Sequence, residues 1–320
     1  MIKIGIPRGM NYYDAYHVWI NFFEALGAEV IVSNKTNKEI LDSGVLNTID
    51  DACLPVKVFH GHVFQIKDKV DYIFIPRIIS FRKREFECPK ILGLPAMVKS
   101  TINNLPEIID LEINMRKSKF HFKKEVIKIS KIITKDPIKI KKAYDIAIKN
   151  TNFNKTNIYS KIIPEIQNID EKSKIRLLLL GHPYNIYDKH INMNIIEKLY
   201  KRGIEIITTD MLDEKDINEH ILEIPKRMFW TSGRKIVGGS FSLLNKNLID
   251  GIIFISSFGC GLDSILIDIV QRKAKSKKIP FSLLTLDEHT GEAGINTRIE
   301  AFVDMLEWRG KNEDNISTYG

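Results

Sequence analysis

The stretch GIIFISSFGC, residues 251–260, contains the pattern that decides the fold. Ile252–Ile255 form a continuous apolar run, which is typical of a strand buried on both faces of a parallel sheet. The run is followed by two serines and then by Cys260, which has a glycine on either side. Loops that follow parallel strands form the ligand-binding edge of an open sheet. The stretch therefore predicts a buried strand that carries a cysteine to that edge.

Strand and helix patterns alternate in the N-terminal and C-terminal parts of the sequence. A central region between them lacks this alternation. Near the start of the chain, Ile2–Ile6 and Glu29–Val32 have strand patterns, with a helical pattern between them. The alternation restarts at Ile175–Leu180 and includes Phe281–Leu286. The sequence therefore predicts an α/β fold: two Rossmann-like domains with parallel sheets, joined by a helical, Lys-rich connector.

The predicted boundaries follow from these changes of pattern. Residues 1–104 are assigned to an N-terminal α/β domain, residues 105–172 to the helical basic connector, and residues 173–320 to a C-terminal α/β domain. The connector contains most of the basic charge: twelve Lys and Arg against three acids between Arg116 and Lys149, in a chain with net charge +8. Because this region has no recognisable nucleic-acid-binding motif, we expect no nucleic-acid partner.

The N-terminal residues MIKIGIPRGM do not have the long apolar segment of a signal peptide. No window of 18 uncharged apolar residues follows, so no membrane association is expected. These features predict a cytoplasmic protein, a compartment that disfavours structural disulfides.

Cys53, Cys88 and Cys260 are the only cysteines, and each follows a predicted strand or precedes a predicted helix. Thiolates favour zinc and iron–sulfur clusters, and a thiol near a helix N-terminus loses its proton more easily. The gaps of 35 and 172 residues differ from the close pairs of structural zinc sites, so a cluster assembled from distant loops fits better. The alternative is that each cysteine is a small buried apolar residue.

Several polar residues are candidates for the surroundings of such a site. His182, Glu288 and His289 follow predicted strands, so we expect them to line the cavity of Cys260 as acid–base groups. Ser257, with the backbone around Gly259 and Gly261, could bind a cofactor, or these residues could simply cap helices and tie loops. His60 and His62 lie two positions apart on a predicted helix, so at most one faces a site and packed or surface positions are favoured.

Six motifs together resemble the 2-hydroxyacyl-CoA dehydratase superfamily, and more closely its acyl-CoA dehydratase activase-related branch. The motifs are DACLPVK at 51–57, HGH at 60–62, IPR at 75–77, Cys88-Pro89, SFGCG at 257–261 and DEHTGEAG at 287–294. The resemblance covers almost the whole chain and is weakest in the Lys-rich middle.

The resemblance implies two Rossmann-like domains and a [4Fe–4S] cluster held by Cys53, Cys88 and Cys260 in an anaerobe. It also implies a partner, an ATP-hydrolysing activator protein that carries its own iron–sulfur cluster and supplies electrons. A double-cubane cluster, which occurs in related members, would have to be shared across a homo- or heterodimer. The chain itself has no phosphate-binding P-loop motif, so ATP hydrolysis is assigned to the partner.

The predicted function is a low-potential reductase or dehydratase-like component that acts on an acyl-CoA or another small molecule. The alternative is a non-catalytic electron carrier or cluster scaffold, and a third reading is a zinc-stabilised binding module. Whether the chain is an enzyme depends on whether a substrate reaches the cluster iron.

Overall fold

The computed structural model describes residues 1–149 and 175–316 of the chain. The chain divides into two compact units, Met1–Asn154 with Met228–Ser232, and Lys155–Arg227 with Gly233–Gly320. Each unit contains a parallel sheet with helices that connect its strands. This arrangement confirms the predicted α/β class with Rossmann-like, parallel sheets.

The N-terminal unit is built on a parallel sheet with strand order β2-β1-β3-β5. Strands β4 and β6 form a separate parallel pair with a register shift between Ile78 and Ser80. The strands are β1 (Lys3–Ile6), β2 (Glu29–Val32), β3 (Tyr72–Phe74), β4 (Arg77–Ser80), β5 (Glu107–Ile109) and β6 (Glu112–Asn114). The buried aromatic residues Phe22, Phe23 and Phe74 pack beside the sheet, so the strands carry their connecting loops on a rigid core.

Seven helices are described in this unit. They are α1 (Tyr12–Leu26), α2 (Lys38–Leu46), α3 (Leu54–Ile66), α4 (Pro89–Leu92), α5 (Leu94–Thr101), α6 (Lys119–Ile133) and α7 (Pro137–Lys149). A short 3-10 turn, Lys67–Lys69, leads from α3 to the sheet. Helices α2 and α3 make the most extensive contact between helices in this unit, and α7 packs against α1.

The boundary predicted at residue 104 falls inside this unit. Strand β5 pairs with β3 from Tyr72↔Glu107 to Phe74↔Ile109, so residues 107–109 complete the first sheet. Helices α6 and α7 also belong to the unit, and their apolar faces are buried at Val126, Ala143 and Ala147. The part of the predicted connector from 150 to 172 lies outside the described residues. Residues 105–149 are thus an integral part of the first unit rather than a connector.

The C-terminal unit has the strand order β10-β9-β7-β8, with every pair parallel. Its strands are β7 (Arg176–Gly181), β8 (Glu205–Ile207), β9 (Gly251–Ser257) and β10 (Phe281–Leu286). All seven residues of β9 are buried, which confirms the strand predicted from the apolar run. Because β9 lies between β7 and β10, the loops after these three strands emerge at the same edge of the sheet.

Within its described residues, 175–227 and 233–316, this unit also has six helices and two 3-10 turns. The helices are α8 (Pro183–Tyr187), α9 (Ile195–Lys201), α10 (Glu214–His220), α11 (Thr231–Asn245), α12 (Gly261–Ser276) and α13 (Glu292–Ile316), and the turns are Thr209–Met211 and Ile221–Glu223. Gly238 and Gly239 lie inside α11, where added Cβ atoms would lie 2.5 Å from Ile217 O and 2.7 Å from Thr209 Cγ2. These glycines allow close helix packing and are not part of a phosphate loop.

The pattern of residues 226–247 in the sequence predicts a helix from Lys226, but α11 begins at Thr231. The residues between them pair with Phe86 of the N-terminal unit, because Phe86 N donates to Phe229 O and Thr231 N donates to Phe86 O. The rings of Phe86 and Phe229 also stack, with centroids 4.5 Å apart. This extended pairing requires a backbone conformation that a helix cannot supply.

Within residues 1–149 and 175–316, no helix combines the length and the apolar character that a membrane crossing needs.

Candidate metal centre

The three cysteines share one local position. Cys53 precedes α3, Cys88 precedes α4, and Cys260 precedes α12, each as the N-cap residue of its helix. Proline follows Cys88 directly and follows Cys53 by two positions, where its fixed φ favours the first turn of a helix. The unpaired amides of a helix N-terminus stabilise a thiolate or another anion. None of the three forms a disulfide.

Cys53 and Cys88 lie in neighbouring loops of the N-terminal unit. Lys90 Nζ, in the helix after Cys88, donates to the carbonyl oxygen of Asp51, two residues before Cys53, at 3.4 Å. Cys53 is buried and Cys88 is half-buried. The carbonyl groups of both cysteines accept the first amides of the helices that follow, so each loop is fixed by its own helix.

His60 and His62 are both fully buried in α3. His60 Nδ1 donates to the carbonyl of Val56 at 2.8 Å, one turn earlier. The ring nitrogens of His62 lie 3.0 Å from Ser33 Oγ and 3.0 Å from Thr36 Oγ1. Burial, with a smaller contribution from the charge of Arg8, lowers the pKa of His62 to about 3. Both histidines are therefore packed residues, which was the favoured prediction.

The glycine between these histidines allows a close helix crossing. A Cβ on Gly61 would lie 1.8 Å from Ile40 O of α2, and a Cβ on Gly44 would lie 2.0 Å from Lys57 O of α3. The two helices therefore approach through their backbones, which only glycine permits at these positions. The HGH motif is explained by packing and hydrogen bonding within the N-terminal unit.

In the C-terminal unit, the predicted site residues Cys260 and His182 lie together. Gly181 ends β7 at φ +151°, and a Cβ there would lie 2.5 Å from Ile255 O, so this position needs glycine. The chain then turns at His182, the N-cap of α8, beside the end of β9. Cys260 follows β9 after a turn in which Cys260 N donates to Ser257 O at 3.1 Å.

A third residue, Asp263, completes the group. The ligand-type atoms of His182, Cys260 and Asp263 all lie within 4.8 Å of one another. His182 Nε2 is 3.1 Å from Asp263 Oδ1, yet the two atoms are not aligned as hydrogen-bond partners. Both atoms are fully buried, and neither makes another hydrogen bond among the described residues. The group thus has two buried polar atoms that point toward a common space.

Neighbouring side chains fix two members of this group. Ser256 Oγ donates to Asp263 Oδ2 at 2.9 Å, which leaves Oδ1 for His182. The ring of Tyr184 stacks on the ring of His182, with centroids 4.9 Å apart and planes inclined by 11°. Metal sites commonly use such outer contacts to orient their ligands.

The charges of the group act on His182. Burial by itself lowers the pKa of His182, but the Asp263 carboxylate and the Cys260 sulfur outweigh burial and raise that pKa well above its ordinary range. The imidazole thus lies beside a carboxylate and a sulfur, and these three donor types can bind one cation together.

The model of the family described as CoA enzyme activase uncharacterised domain (DUF2229) matches residues 3–212 of the 320. The chain belongs to this activase-domain family. No curated protein matches the chain. The family relates the chain to the activator branch of the 2-hydroxyacyl-CoA dehydratase system. The sequence motifs resemble the same branch.

The matched residues of the activase domain include Cys53, Cys88 and His182. Cys260 and Asp263 lie beyond the match, at the start of α12. The local geometry of the C-terminal unit, and not the family match, therefore links His182 with Cys260.

The three predicted cofactor-binding residues have different surroundings. Ser257 Oγ donates to Asn185 Oδ1 at 2.8 Å, so its hydroxyl is used within the unit. Gly259 has φ +76°, which allows the turn before Cys260. At Gly261, no atom lies within 4 Å of where a Cβ would be, so the backbone there is open to an approaching group. Binding of a cofactor by these residues stays a prediction.

Glu288 and His289 belong to the turn after β10. Asp287 Oδ1 accepts His289 N at 2.9 Å and Thr290 Oγ1 at 2.7 Å, so the turn is closed by its own side chains. His289 is exposed and Glu288 is half-buried. Neither belongs to the group of His182, Cys260 and Asp263. Their catalytic role, like that of His182, stays a prediction.

Asp263 is not among the site residues that were predicted from the sequence. It lies three residues after Cys260, in the first turn of α12, where acidic residues are common because they stabilise the helix N-terminus. A Cys-x-x-Asp spacing at the start of a helix places both side chains near the same helix end. That spacing is the signal that could have identified Asp263.

Proposed function

We propose that the chain is an iron–sulfur protein of the 2-hydroxyacyl-CoA dehydratase type, a low-potential reductase or dehydratase-like component activated by an ATP-dependent electron donor. The observation that carries this proposal is the shared position of Cys53, Cys88 and Cys260, each at the N-terminus of a helix. A chain with only three cysteines, each at a helix start, has the donor set of a three-thiolate cluster.

The residues present fit a [4Fe–4S] cluster chemically. Helix-start amides offset the negative charge of thiolates and inorganic sulfide, and the half-buried Cys88 and Cys260 are accessible to an inorganic group. When bound, the cluster would supply one-electron chemistry at low potential and an iron that lacks a protein thiolate. The open backbone at Gly261 supports the close approach of such a group.

The proposal includes a partner. An ATP-hydrolysing activator with its own iron–sulfur cluster would deliver the electron, and the CoA enzyme activase description of the family supports a place in such a system. The substrate would be an acyl-CoA or another small molecule that is hard to reduce. If the centre is a double cubane, three cysteines per chain require a homo- or heterodimer to hold it.

The family description favours a second candidate, a non-catalytic electron carrier or cluster scaffold in the activation of a CoA-dependent enzyme. The two candidates differ in whether a substrate binds the iron that has no thiolate. Under the first, an acyl-CoA changes the electron paramagnetic resonance spectrum of the reduced cluster. Under the second, the spectrum stays the same with every acyl-CoA while electrons still pass to an acceptor protein.

Anaerobic purification followed by iron, sulfide and zinc analysis tests the proposal. We expect a brown protein with about four irons per chain, or per half of a shared cluster. Replacement of Cys53, Cys88 or Cys260 by serine should each remove the cluster and the colour. A protein with one zinc ion and neither iron nor sulfide would contradict the iron–sulfur proposal.

A further inference from the structure

We propose that the C-terminal unit contains a binding site for a single divalent transition-metal ion, of the zinc class, formed by His182, Cys260 and Asp263. This site lies within one unit and uses one cysteine, so its ligand set differs from that of a three-thiolate cluster. The two centres share Cys260, and one chain therefore holds one or the other at that thiol.

The spacing of the donor atoms favours one ion. Ligands of one tetrahedral zinc ion that include nitrogen, oxygen and sulfur lie roughly 3.4 to 3.6 Å apart, given their usual bond lengths. The three donors here lie within 4.8 Å of one another, and His182 Nε2 lies 3.1 Å from Asp263 Oδ1. Ligands on two irons of a cubane are further separated by the edge of the cube, so this spacing suits a single ion better.

Two buried atoms of the group that lack hydrogen bonds within the described parts of the chain also favour a bound cation. His182 Nε2 and Asp263 Oδ1 are buried and unaligned with each other, and among the described residues neither has another hydrogen bond. An unmade hydrogen bond on a buried group costs about 1–3 kcal/mol, so a native fold seldom leaves two such atoms side by side without a ligand. A cation between them satisfies both lone pairs at once.

The donor set specifies the class of ion. Imidazole nitrogen, thiolate sulfur and carboxylate oxygen are the three ligand types of zinc, whereas calcium and magnesium prefer oxygen alone. Three protein ligands leave a fourth position of the tetrahedron, as in catalytic zinc sites. Cys260 is only half-buried, so this fourth position can face solvent.

The outer contacts complete the site. Ser256 Oγ donates to Asp263 Oδ2, the oxygen that faces away from His182. Tyr184 stacks on the imidazole and restrains its rotation. These contacts hold two ligands in place before an ion arrives, which reduces the entropy that is lost on binding.

The experiment uses the full chain with Cys53→Ser and Cys88→Ser, a background that lacks two cluster thiolates and keeps the proposed ion site. After the protein is stripped with a chelator, it is titrated without oxygen with Co²⁺ and then with Zn²⁺. We expect one cobalt ion per chain with a thiolate-to-cobalt charge-transfer band, and loss of that band when zinc displaces cobalt. Absence of binding in a folded protein, checked by circular dichroism, would overturn the proposal.

Ligand variants in the same background identify the donors. Cys260→Ser should abolish the charge-transfer band, and His182→Ala and Asp263→Asn should each weaken cobalt binding by at least about 10-fold. Asp263→Asn preserves the shape of the side chain and guards against loss of the fold. The matched control is Ser240→Ala, a buried serine of α11 whose hydroxyl donates to Val237 O and not to the ligands. Unchanged cobalt affinity in both His182→Ala and Asp263→Asn would contradict the assignment.

These measurements separate the single-ion site from the iron–sulfur cluster. Loss of the iron–sulfur cluster in Cys53→Ser or Cys88→Ser, with cobalt binding retained, supports both. Cobalt binding in a protein that never contains iron or sulfide would leave the ion site standing without the cluster. A cluster that forms in the parent chain, with no cobalt binding in the double variant, would leave only the cluster.

Discussion

His62, in the second half of α3, and His182, at the start of α8, are both buried histidines, but their surroundings differ. His62 lies between two hydroxyl groups, Ser33 Oγ and Thr36 Oγ1, at 3.0 Å each. His182 lies against a carboxylate and a thiol, with Nε2 unaligned to Asp263. Burial lowers the pKa of His62 to about 3, whereas Asp263 and Cys260 outweigh the effect of burial and raise the pKa of His182.

The comparison teaches that burial of a histidine does not by itself mark a metal site. When both ring nitrogens of a buried histidine lie at hydrogen-bond distance from neutral hydroxyl groups, as in His62, the polar atoms of the ring are satisfied within the core. A ring left with an unaligned carboxylate and a nearby sulfur has donors to offer a cation, as His182 does. His62 lies in a motif of the family resemblance and His182 does not, so the motif does not mark the candidate metal ligand, and the local geometry separates the two roles.

The largest predicted effect on stability tests whether the HGH motif of the N-terminal unit serves the packing of α2 against α3. Gly61→Ala would place a Cβ 1.8 Å from Ile40 O, so α2 and α3 must separate. We expect the free energy of unfolding of the N-terminal unit to fall by about 3 kcal/mol or more. Urea unfolding followed by hydrogen exchange on the α3 amides measures this loss.

The matched control is Gly294→Ala, in the motif of the C-terminal unit. Gly294 lies in α13, and no atom lies within 4 Å of its Cβ position. Replacement of a helical glycine by alanine at an open site is expected to be neutral or stabilising by up to about 1 kcal/mol. Equal stability of Gly61→Ala and the parent protein would remove the packing explanation of the HGH motif.

The next effect concerns pH and follows from the low pKa of His62. Below pH 6.5, the unfolded chain binds a proton at His62 that the folded unit does not bind until about pH 3. The stabilisation that the lowered pKa of His62 contributes is therefore fully present above pH 6.5, and it is lost as the pH falls toward 3. From this residue alone, we expect a loss of about 3 kcal/mol between pH 6.5 and pH 4.

His62→Gln should remove that dependence. The variant is expected to be less stable than the parent at neutral pH because it disturbs two buried hydrogen bonds, but its stability should fall less steeply with acid. Urea unfolding at several pH values compares the slopes, with His289→Gln as the control for an exposed histidine. Parallel stability curves for the parent and His62→Gln would show that His62 is not buried in its neutral form.

Much of the fold could be predicted from local sequence patterns. Strand β9 was identifiable because every residue from Gly251 to Ser257 is buried, so its apolar run has no polar interruption. Strands β4, β5 and β6 were missed because three or four residues are too few to show a period. The start of α11 was misplaced because residues 228–230 pair with Phe86, a contact across more than a hundred residues that no local pattern reports.

The candidate site was predictable in its residue types and less so in its membership. The sequence placed Cys260 and His182 at one sheet edge because loops after parallel strands meet there. It could not show that Asp263 turns inward, since an acid in the first turn of a helix usually interacts with the helix dipole in solvent. The role of Ser256 as the partner of Asp263 depends on the direction of the side chains at the end of β9, which the buried run does not reveal.

The smallest predicted effect compares two adjacent serines on β9. Ser256 and Ser257 are both buried, and their hydroxyls donate at 2.9 Å to Asp263 and at 2.8 Å to Asn185. The first acceptor is a carboxylate and the second is a neutral amide, and hydrogen bonds to charged groups are the stronger kind. We expect Ser256→Ala to lower the free energy of unfolding by about 2 kcal/mol and Ser257→Ala by about 1 kcal/mol.

Both stabilities are measured by urea unfolding in the presence of a chelator, so that no metal ion contributes to the difference. With cobalt added in the background of Cys53→Ser and Cys88→Ser, Ser256→Ala should also weaken binding by about 10-fold, because Asp263 loses the contact that orients it. Ser257→Ala should leave the cobalt affinity unchanged. If both variants weaken cobalt binding equally, the hydroxyl of Ser256 has no special part in orienting Asp263, and the distinction drawn between these two neighbours is wrong.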